Sequence, residues 1–225
     1  MQDKLSTVLI VDDHPLVREG LKGLIAEESD LSVCGETGSM REAQALVREH
    51  QPDVVIIDLS LEDGNGLDLI RRLKSHYPRL KMLVCSMRDE LLFAERAINT
   101  GAHGYLNKHE AAGEVVAAVR KVLSGKIYLS PDMVDRVVSG FARNEAASHN
   151  PIDELSNREL EVFWLIGQGH STGEIAQQLN LGVKTVETHR EKIKRKLGLT
   201  SAGQLMRRAV QWELEQDRGQ VSGRK

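Results

Sequence analysis

Three carboxylates, one hydroxyl and one ammonium in the first half of the chain could work as a unit: Asp12, Asp13, Asp58, Ser86 and Lys108. Each stands at or just past the end of a short apolar run. Gathered in one crevice, three carboxylates repel one another unless they share protons or hold a cation. Mg2+ fits such a set, because it takes a few carboxylates and keeps waters that a phosphate can displace. Lys108 would balance the charge of an incoming phosphoryl group, and Ser86 would donate a hydrogen bond to one of its oxygens. Asp58 is the natural nucleophile, since carboxylates form aspartyl-phosphate intermediates. The remaining work is positioning and charge neutralisation. An Asp pair after a strand is ordinarily a helix cap or a turn. What carries the reading is that separate strand ends each supply the residue type that one site needs.

The elements that must hold these groups alternate. Residues 7–11 (TVLIV) form a β-branched run, followed by a helical pattern over 15–28 in which Pro15 suits the first turn. Strands at 31–37, 53–58, 81–86 and 103–107 then alternate with helices at 40–49, 67–75, 90–99 and 111–124. The runs VLIV, VVII and MLVC lack two-residue alternation, as parallel strands buried on both faces do. The predicted fold is α/β: a doubly wound, flavodoxin-like parallel five-stranded sheet, followed by a small all-α domain. In a 2-1-3-4-5 order, the first, third, fourth and fifth strands are neighbours. Their carboxyl ends then share the crevice where such sheets bind ligands.

Composition agrees with a globular chain: of 225 residues, 40% are hydrophobic and 28% charged. No apolar run approaches the roughly 18 residues of a membrane helix, and residues 8–11 are too short for the apolar part of a signal peptide. Cys34 and Cys85 stand 51 positions apart with no CxxC pair, which argues against a disulfide framework or a zinc site. The expectation is a soluble, reduced, cytoplasmic protein with no membrane partner. Residues 1–150 hold 18 basic and 23 acidic side chains, a balance of −5, whereas residues 151–225 hold 12 and 10, a balance of +2. Different partners for the two parts are expected.

The segments IVDDHPLVREGL, DVVIIDLSLEDGNGLDL, VCSM and GAHGYLNK together resemble the receiver domain of two-component response regulators, over residues 7–124. The separations of 28 residues from Asp58 to Ser86 and 22 from Ser86 to Lys108 agree with that family. The resemblance implies transfer of a phosphoryl group to Asp58 from the phosphohistidine of a sensor histidine kinase. It implies Mg2+ at Asp12, Asp13, Asp58 and the Ser60 backbone carbonyl. It makes Ser86 and Tyr105 switch residues, with Tyr105 following inward when Ser86 moves toward the phosphoryl group. Glu62 and His109 stand where the family usually has proline. Without that proline, a cis bond after Lys108 costs roughly 2.5–4 kcal/mol more than trans, so a trans bond is expected. Glu62 is expected near the mouth of the site.

Gly125 should close the last helix of this domain, and Ser130-Pro131 should start another reaching about residue 143. Residues 144–151 (NEAASHNP) read as a flexible linker. The expected organisation is therefore 1–124, a linker with a helix at 125–151, a second domain at 152–215, and a flexible tail at 216–225. Ser156 with Glu159, and Ser171 with Glu174, are capping boxes that open two helices. A tight turn at 180–183 leads to a third helix over 184–197, and Thr200 or Ser201 caps a fourth reaching about 214. A short helix, a Gly-containing turn and a longer helix make a helix-turn-helix. The third helix, KTVETHREKIKRKL, has six basic and two acidic residues, a balance of +4. Val186, Ile193 and Leu197 form its core stripe. Lys184, Thr185, Glu187, Thr188, His189, Arg190, Glu191, Lys192 and Lys194 lie around the rest, with cations for phosphates and residues near the helix start for base edges.

From Leu155 to Leu199 the sequence is similar to the helix-turn-helix of the NarL/LuxR group, with Gly182 where a Ser cap is usual. That resemblance implies Glu187, Thr188 and Glu191 as base readers, with Thr185, His189, Arg190 and Lys194 nearer phosphates. It also implies pairing of two copies through the last helix, around 202–212. The chain is thus identified as a member of the NarL/FixJ family, a transcription factor rather than an enzyme. Phosphorylation of Asp58 would switch homodimerisation and binding to double-stranded promoter DNA. Two rivals remain. A phosphohydrolase would commonly place an acidic Asp two residues after the nucleophile, where this chain has Ser60. A phosphorylation-independent DNA-binding regulator would keep the front domain only to dimerise, against which the complete set Asp12, Asp13, Asp58, Ser86 and Lys108 speaks.

Overall fold

The computed structural model describes residues 5–88, 90–131, 133–135 and 151–221. The chain divides into two compact units, Met1–Val137 and Val138–Lys225. In the first, the strands are β1 (Ser6–Val11), β2 (Leu31–Thr37), β3 (Val54–Ile57), β4 (Ser60–Leu61), β5 (Gly64–Asn65), β6 (Lys81–Ser86) and β7 (Gly104–Asn107). Five of them form a parallel sheet in the order β2-β1-β3-β6-β7, which is the order expected. The two-residue strands β4 and β5 form a separate antiparallel pair, too short to leave a periodic signal. The helices α1 (Pro15–Ala26), α2 (Met40–His50), α3 (Gly66–His76), α4 (Glu90–Thr100) and α5 (Ala111–Leu123) lie close to the ranges read from the sequence.

The central strands run apolar through residues 8–11, 54–57 and 82–85 because both faces are covered there. Val8, Ile10, Val54, Ile56, Leu83, Cys85 and Leu106 cluster with Leu21 and Ile25 of α1 and with Val115, Ala118, Val119 and Val122 of α5. The alternating residues Leu9, Val11, Val55, Ile57, Met82 and Val84 point the other way and are just as buried, on the side of α2, α3 and α4.

The expected boundary after residue 124 falls inside this unit. Gly125, at φ +83°, does follow the last turn of α5. The chain beyond it then returns to the sheet edge, where Tyr128 bridges to Gly104, its N–H donating to His103 O and its carbonyl accepting from Tyr105 N–H. Ser130 Oγ accepts from Met133 N–H as a cap, and Met133 is buried. An unpaired edge at β7 is what this strand-like return covers. The rest of the expected helix to 143 and the linker at 144–150 lie outside the described residues.

His103 ties β6 to β7. Its N–H donates to Met82 O at 2.7 Å, and its Nδ1 accepts from Met82 N–H at 3.3 Å. Burial, with Lys81 and Lys74 nearby, pushes its pKa from 6.5 down to about 4. The folded domain therefore holds a neutral ring. Stability from this group is complete above about pH 6.5 and is lost as pH falls toward 4, where the unfolded chain binds a proton that the folded one refuses. In urea titrations the wild type should lose more stability than His103→Gln on going from pH 7 to pH 5. Parallel pH dependences for the two proteins would overturn this.

The second unit contains α6 (Asn157–Gly167), α7 (Thr172–Gln178), α8 (Val183–Lys196) and α9 (Ala202–Val221), after a 3-10 turn at Pro151–Glu154. Both expected capping boxes are formed. Of the two candidates for the cap of α9, Ser201 takes the role, its Oγ accepting from Gln204 N–H at 3.1 Å. Leu160, Phe163, Ile166, Ile175, Val186, Ile193, Leu205 and Ala209 form the core, with the Phe163 and Trp212 rings 5.4 Å apart. Leu197, expected in the stripe, is the C-terminal cap of α8 and only half-buried. The tail expected to be flexible from 216 is helical as far as Val221. Glu, Leu, Gln and Arg after Trp212 all favour helix, and no proline intervenes.

Candidate functional site

Sheet hydrogen bonding runs on past the strand ends and sets the acidic site. Asp12 N–H donates to Thr37 O at 2.9 Å, Asp58 N–H to Val11 O at 2.8 Å, and Lys108 N–H to Ser86 O at 3.0 Å. Asp12 and Asp58 thereby leave the adjacent strands β1 and β3, and Lys108 leaves β7, one strand further along past β6. The Lys108 ammonium lies 2.7 Å from Asp12 Oδ2 and 2.7 Å from Asp58 Oδ2, and none of the three side chains is more than 5% exposed. Burial raises the Asp12 pKa and the Asp58 charge adds to it, with Lys108 offsetting only part. On Lys108, burial opposes the charge, yet Asp58 and Asp12 outweigh it and hold the ammonium above its ordinary value. The pocket has more negative charge than its own lysine neutralises.

Asp13 completes the acidic set. Its Oδ1 is buried and accepts no hydrogen bond. Asp12, Asp13, Asp58 and a residue the sequence reading passed over, His14, present four ligand-type atoms all within 4.8 Å of one another. Oxygen donors at this spacing, one of them accepting no hydrogen bond, suit a hard divalent ion.

A second overlooked residue keeps Asp58 in place. Gly66 opens α3 with its N–H donating to Leu59 O at 2.9 Å, and a Cβ on it would stand 2.1 Å from the Asp58 carbonyl oxygen. Only glycine fits so close to that carbonyl. Gly66→Ala should displace the Asp58 backbone and destabilise the unit by about 1–3 kcal/mol or more. A variant as stable to urea as the wild type would show that the backbone has room. The sequence signal was there in LEDGNGLDL, where two glycines flank the α3 cap Asn65.

The second unit presents α8. Lys184, Thr185, Glu187, Thr188, Glu191 and Lys192 are exposed, as is Arg195, which was not singled out from sequence. Three expected contacts are placed less freely. Lys194 pairs with Glu191 at 2.9 Å, and Arg190 Nη1 donates to Thr172 Oγ1 at 3.4 Å. His189 is half-buried, its Nδ1 sealed and without a hydrogen bond, and burial followed by the nearby Lys192 charge lowers its pKa. The charges of Arg158, Glu159 and Glu161 on α6 also act on this ring. It therefore faces the helical core more than the outward face.

Residues 8–120 match the response regulator receiver domain, and residues 153–209 match the luxR family of bacterial regulatory proteins. The oxygen regulatory protein NreC of Staphylococcus carnosus is 34% identical over 212 residues, covering 92% of this chain and 98% of NreC. The chain belongs to the NarL/FixJ family of response regulators. Response regulator GacA of Pseudomonas aeruginosa is 35% identical over 204 residues, 90% of this chain and 94% of GacA. RcsB from Salmonella enterica serovar Typhimurium, solved bound to promoter P1flhDC in the presence of the phosphomimetic BeF3−, aligns with TM-score 0.60 and 25% identity over 92% of this chain and 98% of RcsB.

The other expected residues of the receiver lie on β4, β6 and β7 or directly after them. Ser86 is buried, and its Oγ accepts only a long bond, 3.4 Å, from Arg88 N–H. Tyr105 is fully buried, its hydroxyl donating to Arg88 O at 2.9 Å, so the inward position expected to follow phosphorylation is already taken. Ser60 opens β4, and its Oγ accepts from Arg88 Nη2 at 3.3 Å. Glu62 is exposed beside Gly38, with its N–H donating to Gly38 O at 3.3 Å. The bond after Lys108 is trans, and His109 N–H donates to Asn107 Oδ1 at 3.0 Å.

Proposed function

We propose that Asp58 accepts a phosphoryl group from the phosphohistidine of a sensor histidine kinase. The modified receiver then favours a homodimer that binds promoter DNA through α8, in a cytoplasmic setting. The observation that carries this reading is the Lys108 ammonium shared between two buried carboxylates, at 2.7 Å from each. An Asp58 oxygen attacks phosphorus while the bond from phosphorus to the histidine nitrogen breaks, and that nitrogen keeps the electron pair. Lys108 can leave the carboxylates for a phosphoryl oxygen. The Ser86 hydroxyl, which donates to nothing among the described residues, is free to meet another. Asp12, Asp13, Asp58 and the Ser60 carbonyl would hold Mg2+, which when bound neutralises charge on the phosphoryl oxygens.

Support for the DNA partner comes from the exposed cationic face of α8 and from RcsB, whose structure was solved on a promoter. No helix among the described residues is long and apolar enough to cross a membrane. The reading is tested by intact mass and sedimentation after incubation with acetyl phosphate and Mg2+. One added phosphoryl group and a shift toward dimer are expected. Dimerisation and DNA binding with no mass change would favour a regulator that works without phosphorylation.

A further inference from the structure

His14 stands beside the acidic cluster with no role in phosphoryl transfer to Asp58. It is the N-cap of α1, yet its side chain makes no capping hydrogen bond, so the helix gains nothing from an imidazole there. Its backbone N–H, not its ring, donates to Asp12 Oδ1, at 2.9 Å. The ring Nδ1 lies 2.6 Å from Asp13 Oδ1 and 3.4 Å from Asp12 Oδ1. At 2.6 Å a hydrogen bond would be expected, but Asp13 Oδ1 has none. The ring nitrogen and the carboxylate oxygen thus come together without a proton aligned between them.

With the ring proton on Nε2, Nδ1 keeps a lone pair, and a cation shared with the Asp13 carboxylate accounts for so close an approach. Around one ion with bonds of about 2.1 Å, neighbouring donors stand roughly 3 Å apart and opposite donors roughly 4.2 Å. The two His14 separations bracket the first figure, and the 4.8 Å span of the whole group allows the second. The side chain is 61% exposed, so it can adjust by rotation without disturbing the core.

We propose that His14 is a nitrogen donor to the metal pocket. The donor set of this receiver is then mixed oxygen and nitrogen, and it favours divalent transition ions over Mg2+. A carboxylate-only pocket suits hard Mg2+, whereas an imidazole adds affinity for ions further along the first row, such as Co2+. The proposal rests on the reading of Asp12, Asp13 and Asp58 as a cation site, but it concerns a different residue.

The probes are Co2+ and Mg2+ themselves, titrated calorimetrically into the full chain and into His14→Ala and Asp13→Asn. Removing His14 should weaken Co2+ at least about tenfold, equivalent to about 1.4 kcal/mol, and change Mg2+ less than about threefold. The Co2+-loaded wild type should show a paramagnetically shifted imidazole N–H signal in its proton NMR spectrum, absent from His14→Ala. Asp13→Asn should weaken both ions, placing them in one pocket. Equal effects of His14→Ala on the two ions, or Co2+ binding untouched by Asp13→Asn, would overturn the proposal. If Mg2+ fails to bind while Co2+ binds through His14, the Mg2+ reading falls and the His14 assignment stands. If neither ion binds the wild type, both fall.

Discussion

Asp58→Asn should lose phosphoryl incorporation from acetyl phosphate and Mg2+ by about two orders of magnitude or more, as an enzyme does when its nucleophile is removed. An amide has no ionised oxygen to attack phosphorus. The change is otherwise mild: Asn occupies nearly the same volume, and Lys108 keeps its contact with Asp12 at 2.7 Å. Removing one of two buried like charges also relieves a repulsion that now raises the Asp12 pKa. The variant should therefore be folded and at least as stable as the wild type, so loss of labelling can be assigned to chemistry. Intact mass and a urea titration on the same sample give both readouts. Labelling at the wild-type level would move the acceptor to another carboxylate, Asp12 or Asp13, and the mechanism with it.

The chemistry-bearing residues were legible because a parallel sheet puts them at one kind of place. Apolar runs such as VVII announce buried strands, and the first polar residue after each run must stand at the carboxyl edge. Asp12, Asp58 and Ser86 were readable on that ground alone, whereas Lys108 stands one place beyond Asn107, the first polar residue of its run. His14 and Gly66 were not. The first occupies the α1 cap position, and only the fold brings its ring within 2.6 Å of Asp13. The second matters only through a 2.1 Å clearance against a carbonyl, which no spacing rule encodes. The return of Tyr128 to the sheet edge escaped for a related reason: a single bridge has no periodicity. On α8, charge was visible in the sequence, but partners were not, and Lys194 and Lys196 are already engaged with Glu191 and Glu159.

That division among the cations of α8 gives the second large expected effect. Lys184, Lys192 and Arg195 are exposed and make no ion pair among the described residues, so they are free to meet phosphates. Each phosphate contact contributes about 0.9 to the slope of log affinity against log salt. Replacing all three with Ala should flatten the slope by roughly 2.7 and weaken binding to any DNA on the order of 10²-fold at 0.15 M salt. The effect should be the same on promoter and non-promoter sequences, because phosphates carry no sequence information. Lys196→Ala provides the contrast. Its ammonium is bound to Glu159 Oε2 at 2.7 Å and to Glu154 O at 2.9 Å, so losing it should cost stability of the helical unit and leave the slope nearly intact. Salt titrations by fluorescence anisotropy separate the two behaviours. An unchanged slope in the triple variant would mean that α8 does not lie along the phosphate backbone. A slope lost through Lys196→Ala instead would mean that its ion pair opens on DNA.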